Sequence, residues 1–120
     1  MIFVFGSNLA GRHGKGAALY ARKHYGAIYG QGSGLQGKSY AIPTKGYKLE
    51  VLPLDVIKSH VEEFITFAKN NKNMTFLVTR IGCGLAGYTN EQIAPMFRDA
   101  PSNCILDNEW KVVLDLGKNV

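Results

Sequence analysis

Three side chains in this sequence have the types that break or form bonds. Lys45 closes the stretch "SYAIPTK" and offers an amine. His13, between Arg12 and Gly14, offers an acid/base group near neutral pH or a donor to phosphate. Cys83, in "RIGCGLAGYTNE", offers a thiol close to a predicted helix start, where a thiolate gains stability. Each also has a plainer reading: a solvated strand end, a solvated loop residue and a small buried thiol, the last being the commoner role for cysteine. His24 and His60 fall on predicted helices and read as structural. Three scattered histidines and two distant cysteines give neither metal-ligand spacing nor a disulfide framework. Around these residues stand two glycine-rich stretches, "GSNLAGRHG" (6–14) and "GCGLAG" (82–87). Glycine permits positive φ and leaves backbone N–H groups uncovered, which suits close approach to an anion.

The elements that must position these groups follow from periodicity. "IFVF" (2–5) reads as a buried strand, 15–25 as a helix ended by Gly26, and 39–45 as a strand with Pro43 at its end. Residues 27–38 hold four glycines and predict loop. The clearest helix is 54–70, where Leu54, Ile57, Val61, Phe64, Ile65 and Ala68 share one face. A strand at 74–81 follows. Thr89 to Gln92 spells a capping box, so a helix is expected over about 90–98, shortened or distorted by Pro95. "NCIL" (103–106) and "KVVLDL" (111–116) read as two further strands. Strands alternating with helices predict an α/β domain spanning 1–120, a mostly parallel or mixed sheet covered on both faces in an α/β/α three-layer arrangement. Ligands of such sheets sit beyond the carboxyl ends of the strands. Both glycine loops leave strands and enter helices, so both are expected at that edge.

Composition narrows the class. The chain has 120 residues, 46% hydrophobic and 19% charged, which is the globular range. No apolar run reaches the roughly 18 residues of a membrane span, and the apolar start "MIFVFGSN" lacks the flanks of a signal peptide. A reducing cytoplasm is the expected compartment, with no membrane partner. The net charge of +5 is uneven: residues 1–50 carry +6 and ten of the fourteen glycines, whereas residues 51–120 carry −1. Basic residues among glycines suit a phosphorylated ligand. A nucleic-acid surface is a weaker reading, because no basic–aromatic interleaving of the single-strand type is present. "GSNLAGRHG" is not G-x-G-x-x-G, so a dinucleotide-reducing enzyme is weaker still.

"FVFGSN" followed by "LAGRHGKGAA", together with "RIGCGLAGY" and "GLQGKSYAIPTK", resembles the macrodomain family of ADP-ribose-binding modules over roughly residues 2–106. The resemblance implies a macrodomain-like fold and a binding site for ADP-ribose or a related nucleotide diphosphate, free or carried on a macromolecule, with no cofactor or metal. It assigns Gly6, Asn8, Gly14, Lys15 and Gly16 to one side of the ligand, with Asn8 on the distal ribose. It assigns Gly82, Cys83, Gly84, Leu85, Ala86 and Gly87 to an anion cradle on the other side, with Tyr88 as a stacking or packing residue. A local Asx-turn is the alternative role for Asn8. One subclass, similar to the terminal ADP-ribose protein glycohydrolase, reads I-G-C-G-L-D in the second loop and carries a catalytic lysine at the end of a central strand. "IGCGLA" matches five of the six positions, and Lys45 stands at a similar strand end. Ala86 replaces the acid/base aspartate and transfers no proton. The resemblance therefore implies binding, with ADP-ribosyl hydrolysis by Lys45 or His13 as the alternative.

Overall fold

The computed structural model describes residues 1–118. Ten elements follow one another: β1 (Ile2–Asn8), α1 (Gly16–His24), β2 (Gly34–Gln36), β3 (Ser39–Lys45), α2 (Leu54–Lys69), β4 (Phe76–Val78), α3 (Asn90–Ile93), a 3-10 turn (Ala94–Phe97), β5 (Cys104–Leu106) and α4 (Asn108–Lys118). The five strands form one mixed sheet in the order β2-β3-β1-β4-β5. β1 pairs in parallel with β3 and β4, β4 pairs in parallel with β5, and only β2 runs antiparallel, against β3.

β1 shows how this sheet is buried. Successive side chains leave a strand on opposite faces. Val4 enters a cluster with Tyr40, Ile42, Phe64, Phe76 and Trp110, whereas Phe3 and Phe5 enter a second cluster with Ala18, Ala21 and Ala41. The first cluster takes the apolar face of α2, where Ile57, Val61, Phe64 and Ala68 are all fully buried. The second takes the small-residue face of α1, and Tyr25 stacks on Phe3 with ring centroids 4.7 Å apart. Small residues let α1 lie close over the strands, and this sets where its N-terminus emerges.

Four expectations change. "KVVLDL" (111–116) is not a strand but the body of α4. Asp107 accepts from the Glu109 N–H through Oδ1 at 2.9 Å, and its carbonyl accepts from Trp110 and Lys111. Trp110, Val113 and Leu114, spaced three and four apart, then meet the core. Helical spacing toward Phe97, whose ring lies 4.9 Å from Trp110, overrides the local β-branched preference. Second, residues 34–36 form the short strand β2 inside the predicted loop. Third, β1 is longer than expected and β4 shorter, ending at Asn8 and Val78. Fourth, Pro43 lies within β3, paired with Ser7 where the β1–β3 register shifts. The Ser7 carbonyl there accepts from the Thr44 hydroxyl at 3.3 Å. An irregularity of this kind is where a sheet tolerates proline.

The capping box at Thr89 is present in both directions, and Pro95 turns the helix into a 3-10 turn after Ile93. No helix among the described residues is long and apolar enough to cross a membrane.

Candidate ligand cleft

A cleft of about 960 Å³ opens beyond the carboxyl ends of β1, β3 and β4. That volume lies at the upper end of the usual range for ligand pockets. Its walls come from five segments: the end of β1 with the loop into α1 and its first turn, the end of β3 and the turn after it, the end of β4 and the loop after it, Tyr29, and Asp107 just after β5. Of the residues expected at a site, Gly6, Asn8, Gly14, Lys15, Gly16, Lys45, Gly82, Cys83, Gly84, Leu85 and Ala86 all line it. His13, Gly87 and Tyr88 are not among the lining residues.

His13 is fully buried behind the first loop. Its Nε2 lies 2.9 Å from the Gln31 carbonyl and 3.2 Å from Gln36 Oε1. The Gln36 amide is oriented by the Ile28 N–H, which donates to the same Oε1 at 2.8 Å. Both partners of Nε2 are acceptors, so Nε2 carries the proton. Nδ1 is buried with no partner. The ring meets Phe5 edge-on at 5.2 Å. This imidazole ties the first loop to residues 31–36 and does not face the cleft. Tyr88 has a comparable structural bond: its hydroxyl donates to the Leu52 carbonyl at 2.6 Å.

Asn8 lines the cleft, but its side chain clasps the loop that follows. Nδ2 donates to the Arg12 carbonyl at 3.0 Å and Oδ1 accepts from the Arg12 N–H at 2.9 Å. One donor and one acceptor site of the amide remain for a further partner. The clasp carries the chain to α1, which starts at Gly16 without a side-chain cap. The first N–H groups of that helix have no intrahelical partner. Lys15, Gly16, Ala17 and Ala18 bring them to the cleft wall.

The glycines separate by what requires them. Gly82 has φ +76, and an added Cβ would press on buried Ile93 at 3.1 Å, so the fold itself demands glycine there. Gly14 and Gly84 are different. Neither has positive φ, and an added Cβ at either would meet nothing within 4 Å. Both are exposed and both line the cleft, so their missing side chains leave backbone uncovered on its walls.

Four basic side chains line the cleft, Arg12, Lys15, Lys45 and Arg80, against the single carboxylate Asp107. Arg80 is engaged by Glu109 at 2.7 Å and Asp107 at 4.0 Å. Among the described residues no carboxylate pairs with Arg12, Lys15 or Lys45. Three cations thus face the cleft uncompensated. Burial pushes the Cys83 thiol up from its ordinary range; the Trp110 indole and Arg80 oppose that shift, and Glu91 and Glu109 add to it. This disfavours the thiolate a nucleophile needs. Ala86 also lines the wall, and its methyl group transfers no proton. Among the described residues no group of three or more His, Cys, Asp or Glu side chains could hold a metal ion.

Sequence reasoning did not single out Tyr29, Arg80, Leu49 or Asp107 as cleft residues. Arg80 and Asp107 stand just beyond the strands β4 and β5, and strand-end position was the available signal. Tyr29 and Leu49 carry no such signal. No protein-family model, curated protein or solved structure matches this chain.

Proposed function

We propose that this chain is a macrodomain-like, three-layer α/β/α domain that binds ADP-ribose or a related nucleotide diphosphate in the cleft. The observation that carries the reading is the convergence of both glycine loops and the uncapped start of α1 on one cleft with three unpaired cations. Unpartnered helix N–H groups and uncovered loop backbone favour a phosphate group. Arg12 and Lys15 add charge on the α1 side. Asn8, with one donor and one acceptor free, suits a sugar hydroxyl. The same cleft would receive ADP-ribose attached to a protein or nucleic acid.

Binding without turnover is favoured over hydrolysis. Lys45 lines the cleft and has the amine that glycosyl transfer would use. The one carboxylate on the wall, Asp107, is held by Arg80 and caps α4. His13 faces away, so neither supplies an evident proton-transfer partner.

Isothermal titration calorimetry with ADP-ribose, AMP, ADP and NAD tests the reading. Binding of ADP-ribose in preference to the other three is the expected result. No heat with any of them overturns it. Release of ADP-ribose from a modified substrate, lost in Lys45→Ala, would move the assignment to a hydrolase. Binding of single-stranded nucleic acid that falls steeply with salt, in the absence of nucleotide binding, would move it to the basic surface.

A further inference from the structure

Leu49 is the one non-glycine residue with positive φ among those described, at +64. Left-handed backbone is unfavourable for any residue with a Cβ, and positions that need it ordinarily carry glycine or asparagine. The leucine side chain does not offset this by packing. It belongs to neither core cluster and is 41% exposed. Such an outlier points to a role outside the fold's own stability.

The turn that holds Leu49 is tightly built. The Gly46 N–H donates to the Glu50 carbonyl at 2.8 Å, the Leu49 N–H to the Gly46 carbonyl at 3.1 Å, and the Lys48 N–H to Glu50 Oε1 at 3.2 Å. Its base is pinned by the Lys45–Val51 bridge and by the Leu52 N–H on the Thr44 carbonyl at 3.0 Å. The Tyr88 hydroxyl on the Leu52 carbonyl fastens it to the second glycine loop. The result of this bracing is that Leu49 lines the cleft beside Lys45. Leu85, 67% exposed, also lines it, with its Cδ1 near the start of α1. Two of the three unpaired cations, Arg12 and Lys15, belong with the α1 N-terminus to another wall segment, and only Lys45 shares the segment of Leu49.

We propose that Leu49 is a ligand-binding residue that packs against an uncharged ring of the ligand, a sugar or a nucleobase. The charged part of the same ligand lies at the start of α1. The cleft is therefore bipartite and selects a phosphate group joined to a ring over phosphate alone. This inference rests on the nucleotide reading above and adds to it the residue that recognises the uncharged half.

The test pairs thermal melting with ADP-ribose calorimetry on wild type, Leu49→Gly, Leu49→Asn and Leu49→Met. Glycine and asparagine both accept the backbone, so both variants melt at or above the wild-type temperature. Both lose affinity about tenfold, as expected for removing one partly covered leucine. Leu49→Met keeps an apolar side chain and stays within about threefold of wild type. Asparagine separates loss of the leucine from a loosened glycine turn. Wild-type affinity in Leu49→Gly and Leu49→Asn overturns this inference and leaves the nucleotide reading standing. A marked fall in melting temperature in both variants overturns it too, since the leucine then serves the fold. Absence of ADP-ribose binding by the wild type overturns the nucleotide reading and this inference together.

Discussion

The two glycine loops reach the same cleft by different construction. The first, residues 9–15, is fastened by side chains. Asn8 clasps Arg12, His13 reaches Gln31 and Gln36, and the Ser7 hydroxyl donates to the Gly32 carbonyl. Gly11, at φ +69, lets this loop press directly on the backbone at Gly30. The second, residues 82–87, is fastened by its own backbone. Cys83, Gly87 and Tyr88 donate to Arg80, Gly84 and Gly82 at 2.9–3.1 Å. A loop held by distant side chains is stiff because several long-range groups must all be lost to release it. A loop held by local turns is stiff only where glycine is obligatory, and Gly84 and Leu85 are exposed. In a binding cleft the first suits a fixed frame of charge and the second a wall that can adjust. Substitutions in the first loop should therefore register mainly as stability, and several in the second mainly as affinity.

Gly11→Ala is the harshest test of that division. An added Cβ would fall far inside van der Waals contact with the Gly30 carbonyl carbon and the Gln31 nitrogen, at a φ alanine disfavours. Neither segment can withdraw without breaking the Gly30–Gly11 hydrogen bond of 2.8 Å. Destabilisation of about 3–5 kcal/mol is expected in urea denaturation. A loss under about 1 kcal/mol would show that the two loops are free to separate.

His13→Ala comes next. It empties a fully buried ring site, while the Gln31 carbonyl and Gln36 Oε1 each lose one donor and keep another, the Gln36 amide and the Ile28 N–H. The expected cost is about 3 kcal/mol, mainly from the cavity. Any hydrolytic activity should survive in the folded fraction, since the ring is absent from the cleft wall. Loss of activity with full stability would instead restore His13 as an acid/base group.

These two residues also show what the sequence made legible. Alternating strands and helices put both loops at one sheet edge, and the structure brings eleven expected residues to one cleft there. The amphipathic face of α2, the capping box at Thr89 and the break at Pro95 were readable because each is a local pattern. The partners of His13 were not, being 18 and 23 residues away in a glycine-rich stretch with no periodicity. β2 escaped for a related reason: three residues carry too little pattern, and the strand exists because β3 offers an edge. The misreading of 111–116 has the opposite origin, a clear local β signal overruled by the burial of Trp110. Leu49 had no signal at all, since a positive φ at leucine contradicts what the residue prefers.

Within the second loop, two glycines two residues apart sharpen the comparison. Gly82→Ala meets both a φ of +76 and Ile93 at 3.1 Å, and should cost about 2 kcal/mol. Gly84→Ala meets open space and should change stability by less than about 0.5 kcal/mol. Under the nucleotide reading its new methyl enters the cleft and lowers ADP-ribose affinity about tenfold. Equal stability losses would mean that the loop is rigid throughout; wild-type affinity in Gly84→Ala would mean that its backbone does not touch the ligand.

The smallest expected effect concerns the thiol at the centre of this loop. If the second loop is a backbone wall, Cys83 contributes shape and no chemistry, and Cys83→Ser should leave both melting and ADP-ribose affinity close to wild type. The pH dependence follows from the direction of the shift. Burial raises the Cys83 pKa, so at pH 8 its thiolate fraction lies below that of a free cysteine, and alkylation, which proceeds through the thiolate, is correspondingly slower. Cys104 supplies an internal comparison, because burial pushes its thiol up to about 11. Well below pH 9, its ordinary value, this thiol stays protonated in both folded and unfolded chains and the linkage is flat. From there to about 11 the unfolded chain loses the proton first, so stability should fall as pH rises, and the fall should be shallower in Cys104→Ser. Mass-resolved alkylation with iodoacetamide at pH 8 reads both cysteines in one sample, against a small free thiol as the standard. Slow modification at both is the outcome a structural thiol requires. Cys83 outpacing the free thiol would place a reactive group in this loop, and the contrast between a charged frame and a passive wall would then have to be redrawn.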